Sequence, residues 1–405
     1  MDLVKEKVTS FESLYKAMQR CANGVRWKPG VIAYLQHGLS NTAKLQKELQ
    51  NGTYKIGSQL RFTIYEPKKR DVIALRFRDR QVQRSLLENY LYNEITRHFI
   101  YDNVACQRGK GTDFAIHRLK QMLAKAYREY GQDAYIYTYD IRNFFGSTNH
   151  AVAKDVIDKR IRNEWARGMV HQLIDSFQGD TGIGLGSDVA QFIELSVLDG
   201  LDHFIKEKLH VRHYIRYMDD FLIITNGKDK SKAYRAAIED ELSKLKLELH
   251  PRKCRVLPIR YGFKWLGYRF RVKESGKIIT TIDKTRIIRE RRKLKRLVKK
   301  STRGQISKAD VDASLNSWIA HAQRGNNYNV IQKMTRYYQS LWRDEKMFNH
   351  VSKDERLKTL ETENQALKSK LTETASQTAY VAMMSGIDLP TDTTTQTGTE
   401  VTADE

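Results

Sequence analysis

The sequence predicts an α+β chain, on three observations. Stretches of helical periodicity alternate with short apolar runs. The two clearest runs, Tyr214–Tyr217 and Phe221–Thr225, have only Met218, Asp219 and Asp220 between them and read as an antiparallel hairpin. The glycines of Gly182–Gly186 are followed by no GKS/T and lie in no strand–helix–strand unit, so a nucleotide-binding fold of the doubly wound kind is rejected. The 405 residues, 40% hydrophobic and 29% charged, suffice for two or three domains with sizeable cores. No run approaches the roughly 18 apolar residues of a membrane span. Cys21, Cys106 and Cys254 offer neither a disulfide framework nor a CxxC knuckle, so reduced thiols are expected. The N-terminus has no secretory pattern, and the expected location is cytoplasmic.

In chain order, residues 1–60 carry short amphipathic helical patterns broken at Asn23–Gly24 and Asn51–Gly52. Arg61–Tyr65 and Val72–Phe77 read as strands around a turn at Pro67. Residues 79–100 read as one long helix, with Val82, Leu86, Leu87, Tyr90 and Leu91 at helical spacing, and Asp113 to Tyr130 as another. Ala134–Tyr139 is a short apolar strand ending in Asp140, and a helical stretch begins at His150. Near the end, Leu357, Leu360, Asn364, Leu367 and Leu371 step by 3, 4, 3 and 4, a short heptad seam with one polar position. It predicts either self-association or a helix docked on the body. From Pro390 onward the chain is Thr-rich and acidic, which predicts disorder.

Charge is distributed unevenly. The formal net charge is +23, yet residues 351–405 are net −5, so the first 350 carry +28. A basic body of that size implies a polyanionic partner, nucleic acid above all. Lys284 to Arg303 holds eleven basic residues against the single acid Glu290, a run that repels itself unless counter-charge is supplied.

Asp140, Asp219 and Asp220 carry the candidate chemistry. The flanks of the hairpin are apolar, so its tip acids are held near a buried sheet, and Asp140 ends a third apolar strand. Buried carboxylates pair or bind metal. Three at neighbouring strand ends can hold two Mg²⁺ ions that activate a hydroxyl and stabilise a leaving pyrophosphate.

Several blocks then fall in a recognisable order. YMDD (Tyr217–Asp220), YDIRNFFGS (Tyr139–Ser147), GIGLGSDVAQ (Gly182–Gln191), PRKCRVLP with GFKWLGYRF (Pro251–Phe270), EPKKRDVIALRFRDRQVQ (Glu66–Gln83), ACQRGKGTDFAIHRL (Ala105–Leu119) and SLNSWIAHAQRGN (Ser314–Asn326) together resemble the reverse transcriptases, over roughly residues 10–345. The resemblance implies a right-hand polymerase with a C-terminal helical or coiled-coil tail. Its parts would be an N-terminal helical RNA-binding extension at 1–60, fingers at 61–130, a palm with fingers insertions at 131–275 and a basic helical thumb at 276–350. A short coiled coil or docked helix would follow at 351–385 and a disordered acidic tail at 386–405. It implies that Asp140, Asp219 and Asp220 are catalytic and, with Ile141, hold two Mg²⁺ ions, Mn²⁺ being the alternative metal. Lys68, Arg70, Phe145, Gln191 and Lys253 would bind dNTP, with Lys69 beside them on the fingers turn. Phe145 would close the pocket against a ribose 2′-hydroxyl and Lys253 would lie near the leaving phosphate. Leu185, Gly186, Tyr217, Met218, Trp265, Leu266, Gly267, Lys293 and Arg296 would contact template and primer, with Phe263 in the hairpin that supports the primer end.

The loop separates subgroups. Where intron-type enzymes read QGxxxSP, this chain has Leu185, Gly186, Ala190 and Gln191, a pattern similar to the diversity-generating retroelement enzymes and to some phage-defence reverse transcriptases. RNase H, integrase and Cys/His endonuclease modules are not recognisable in the chain. The expected function is RNA-directed DNA polymerisation, copying an RNA template into cDNA in an error-prone diversity-generating element of a bacterium or phage. The alternatives are an antiphage defence enzyme with a dedicated non-coding RNA, or an intron maturase-like RNA-binding protein. The partners implied are template RNA, primer or cDNA, dNTPs, a non-coding RNA, a small basic accessory protein and a second copy through the heptads, with no membrane.

Overall fold

The computed structural model describes residues 2–65, 70–184 and 186–385, with the side chains of Arg70, Ser231, 344–357, 359, 363 and 375–385 outside what is described. The fold is α+β, mostly helical, with small antiparallel sheets of two, four and three strands. The chain divides into two compact units, Met1–Asp283 with Arg324–Asn327, and Lys284–Gln323 with the chain from Tyr328 onward.

The first unit opens with helices Leu3–Thr9, Phe11–Ala22, Pro29–Gln36 and Gly38–Gln50. The Asp2 and Ser10 side chains accept from free backbone N–H groups at the starts of the first two. Leu14, Leu45, Leu49, Tyr54 and Val82 form a small core of their own beneath them. Strands β1 (Leu60–Ile64) and β2 (Arg70–Ala74) pair antiparallel, Leu60 opposite Ala74. The strand expected to run to Phe77 stops at Ala74, because Phe77 opens the helix Phe77–Leu86, whose Val82 and Leu86 are buried at helical spacing. That helix continues through a π-turn, Leu87–Leu91, and ends at Thr96 rather than at residue 100. Beyond it His98 and Phe99 donate to the carbonyls of Ile95 and Thr96, the tight turns of a fraying end.

The central sheet contains β3 (Ala134–Asp140), β4 (His213–Tyr217), β5 (Asp220–Asn226) and β6 (Arg255–Pro258) in the order β4-β5-β3-β6. Phe221, Leu222, Ile223 and Ile224 of β5 are buried on both faces of the sheet, which is why this run shows no apolar–polar alternation. Helix Thr112–Tyr130 leads into β3 and stops at Gly131, whose φ of +57° glycine adopts without a Cβ penalty. Helix Asp188–Val197 is buried nearly all round. A third sheet, β7 (Phe263–Trp265), β8 (Tyr268–Val272) and β9 (Ile278–Ile282), is a meander. Leu266 and Gly267 form its first turn, both at positive φ, +48° and +83°, as a two-residue hairpin turn demands.

The second unit contains helices Lys284–Thr302, Lys308–Ala322 and Tyr328–Ser385. Leu294, Val298, Val311, Leu315, Trp318, Ala322, Met334, Tyr338 and Leu341 are buried apolar residues within it. Ser307 and Asp310 form a reciprocal capping box at the start of the second helix. Residues 351–385, expected as a separate short element, are the continuation of one 58-residue helix. Its described side chains from Lys358 to Thr374 are all exposed. The Leu357 side chain and the expected disordered tail, 386–405, lie outside the described residues. Among the described residues no helix is long and apolar enough to cross a membrane, and the three cysteines are unpaired.

Candidate functional site

Strand pairing brings the three acids together. Asp140 is the last residue of β3 and lies opposite Asp220, which also pairs with Tyr217 of β4. Asp220, expected in the hairpin turn, is therefore the first residue of β5. The turn is only Met218 and Asp219, closed by Met218 at φ +56°. Asp140 and Asp220 share a hydrogen bond, and burial first, then the charges of Asp219 and Asp140, push the Asp220 carboxyl up to about 7. Lys253 Nζ lies 2.5 Å from Asp140 Oδ2. The backbone also ties this strand end down: His250 N donates to Asp140 O at 2.7 Å, and Ile141 bridges to Leu249.

Two clefts open on these acids. One, of about 490 Å³, is lined by Asp140, Asp220, Lys253 and the turn from Trp265 to Gly267. The other, of about 760 Å³, is lined by Asp219, Phe145, Arg61 and Phe62 of β1, Val72 of β2 and the glycine-rich segment Gly182–Gly184. Phe145 is half-buried, its ring edge-on to Phe144, and its carbonyl accepts from Ile183 N at 2.8 Å. Glycine is required at 186, where φ is +125° and a Cβ would stand 3.0 Å from the carbonyl oxygen of Ile73. The close approach it permits in this structure is to β2.

Other expected site residues lie elsewhere. Gln191 lines neither cleft; it accepts from Cys106 Sγ at 3.4 Å, and that thiol also touches Met218 Sδ at 3.8 Å. Lys293 and Arg296 are exposed on helix Lys284–Thr302 in the second unit, with Lys293 3.6 Å from Glu290. Lys68, Lys69, Leu185 and the Arg70 side chain lie outside the described residues.

Sequence reasoning missed the groups beneath the turn. Arg216 is wholly buried and grips Asp202, Nε to Oδ1 and Nη2 to Oδ2 both at 2.6 Å. Its remaining nitrogen, Nη1, donates to the carbonyl of Met218 at 3.1 Å, and Tyr214 donates its hydroxyl to Asp202 at 2.5 Å. The signal was an arginine in the middle of an apolar strand, HYIRY. Glu194 is also buried; Thr148 donates to its Oε2 at 2.8 Å, while Oε1 finds no hydrogen-bond partner among the described residues. Burial, and then the nearby Asp219 charge, raise its carboxyl well above the usual range.

The donor set fits a divalent cation in kind. Three hard carboxylates with no His or Cys among them suit Mg²⁺ or Mn²⁺, and burial together with the neighbouring Asp219 and Asp140 charges raises the Asp220 carboxyl. The expected two-ion shell is nevertheless not preassembled. Among the described residues no three His, Cys, Asp or Glu side chains stand ready to hold a metal ion; Asp140 is paired with Lys253 and hydrogen-bonded with Asp220.

The family model described as reverse transcriptase (RNA-dependent DNA polymerase) matches residues 67–270. No curated protein matches the chain. Among solved structures, apo telomerase from Candida tropicalis is 10% identical with a TM-score of 0.42, over 59% of this chain and 52% of that one. Telomerase from Candida albicans, in complex with a TWJ fragment of telomeric RNA, is 9% identical with a TM-score of 0.45, over 76% of this chain and 60% of that one. The chain thus spans between half and two thirds of the length of these structures.

Proposed function

The chain belongs to the reverse transcriptase (RNA-dependent DNA polymerase) family, and from that premise we propose that it extends a primer on an RNA template with dNTPs at the end of the central sheet. The observation that carries the proposal is the register of β3 and β5, which sets Asp140 opposite Asp220, one residue from the turn bearing Asp219. Asp140, Asp219 and Asp220, with the carbonyl of Ile141, would hold the divalent cations. When bound, these would activate the primer 3′-hydroxyl and stabilise the departing pyrophosphate.

The remaining roles belong to the chain itself. Phe145 walls the larger cleft with an aromatic face that leaves no hydrogen-bonding partner for a ribose 2′-hydroxyl. Lys253 holds Asp140 in place and supplies positive charge where phosphate would arrive. The Trp265–Gly267 turn supports the primer end, and Lys68 and Arg70 neutralise the triphosphate. The basic helix Lys284–Thr302 follows the duplex backbone, where phosphate contacts position the substrate without reading sequence.

Within this activity we favour error-prone copying in a diversity-generating element. Leu185 stands where an intron-type enzyme has Gln, and it offers the nascent pair only apolar contact. A site that hydrogen-bonds rejects a mismatch more strongly, because the wrong partner leaves buried polar groups unpaired. One experiment tests both levels: a defined primed RNA is copied with dNTPs and the cDNA is sequenced for wild type and Leu185→Gln. Full-length cDNA with errors concentrated at template adenines, reduced about tenfold by one restored hydrogen bond of roughly 1.4 kcal/mol, is expected. Absence of cDNA contradicts the polymerase; accurate cDNA from both proteins contradicts only the mutagenic role.

A further inference from the structure

We infer that two copies of this chain associate through a parallel two-stranded coiled coil centred on Asn364. In helix Tyr328–Ser385, Leu360, Leu367 and Leu371 are 61%, 65% and 76% exposed, an apolar stripe that the described residues of the chain leave uncovered. In heptad register Leu357, Asn364 and Leu371 take position a, and Leu360 and Leu367 take position d. Arg356, Leu357 and Glu363 enter this register by their sequence positions alone.

Two features choose a second copy as the occupant. The flanking charges are self-complementary: in a parallel pair Arg356 at g faces Glu361 at e of the other copy, and Glu363 at g faces Lys368 at e. Asn364 then sets the orientation. A parallel pair places it opposite the other Asn364, where the two amides satisfy each other. An antiparallel pair over the same leucines places it opposite Leu367 and buries its amide without a partner. Nucleic acid does not fit the stripe, because residues 351–405 are net −5. The seam is barely two heptads long, so the association is reversible and concentration-dependent. It is independent of the polymerase reading, and Asp219→Ala should dimerise as the wild type does.

Sedimentation equilibrium of the full chain tests this over a wide concentration range. The expected result is a monomer–dimer equilibrium that Leu360→Ser with Leu367→Ser weakens by more than about tenfold, with RNA binding by the monomer unchanged. Asn364→Leu should tighten association while admitting larger assemblies, and Asn364→Cys should form a disulfide between copies under mild oxidation that the wild type does not. A wild type that stays monomeric throughout, or a dimer indifferent to the double substitution, overturns the proposal. A trimer, or a dimer in which Asn364→Cys does not cross-link, overturns its parallel two-stranded form.

Discussion

Phe145 closes one side of the larger cleft, and its removal should change what the cleft admits. Phe145→Ala is expected to raise the ratio of rNTP to dNTP incorporation by about tenfold, equivalent to about 1.4 kcal/mol at the transition state. Competition between the two nucleotides measures it, and an unchanged ratio would make Phe145 a core residue only. Arg216 lines neither cleft and meets the turn through the Met218 carbonyl. Arg216→Met strands Asp202 as an uncompensated buried charge and should cost about 3–5 kcal/mol, read as a lowered Tm. Arg216→Met with Asp202→Leu should recover most of that stability. Incorporation should stay low, because the Met218 carbonyl is then without its donor. Recovery of activity together with stability would reduce the pair to a folding element. Asp199, wholly buried beside Arg160, Asp202 and His203, titrates differently: burial first, then Asp202, pushes its carboxyl up to about 6. Its folded form therefore holds a proton that the unfolded chain gives up near pH 4, so its contribution to stability falls as pH rises from about 4 to about 6. Asp199→Asn should remove that slope, on the order of 2–3 kcal/mol across the window, in thermal melts taken at stepped pH. The gathering of Asp140, Asp219 and Asp220 at one sheet end is legible in sequence because apolar strands flank them. Arg216 and Asp202 were not, because sequence places them fourteen residues apart and only the fold closes the pair.

Elements were legible where periodicity and turn chemistry agreed. Helix Thr112–Tyr130 and strand Ala134–Asp140 lie within a residue of their expected bounds. The hairpin of β4 and β5 is legible from two short apolar runs with only a few residues between them. The failures were local. Asp220 was read into a three-residue turn because two adjacent acids resemble a loop, whereas the two-residue turn at Met218 and Asp219 frees Asp220 to pair with both neighbouring strands. The strand propensity of Phe77 points to β structure, and the helical burial of Val82 and Leu86 overrides it. The basic helix Lys284–Thr302 yields a prediction at this scale. RNA affinity should fall steeply with salt, and neutralising Lys293, Lys295, Arg296, Lys299 and Lys300 together should flatten the slope of log K against log salt by up to about 0.7–0.9 for each phosphate left without its cation. A slope unmoved by that substitution would place the RNA-binding surface elsewhere.

For the chain as a whole, charge and chemistry point the same way. The first 350 residues carry +28, while the acids that matter gather at one sheet end where β3, β4 and β5 meet. A positive body draws in a polyanion, and a local excess of carboxylates draws in the cations that phosphoryl chemistry requires. The order of blocks along the sequence made the family legible. The Lys253–Asp140 ion pair and the burial that raises Asp220 depend on β6 and β5 flanking β3, which no local pattern reveals. The most direct test of the account is single-turnover dNTP incorporation on a primed RNA by Asp219→Ala, with RNA affinity measured on the same protein. The expected result is a loss of at least about 10³-fold in rate with affinity within about twofold of wild type; incorporation at near wild-type rate would contradict chemistry at Asp219.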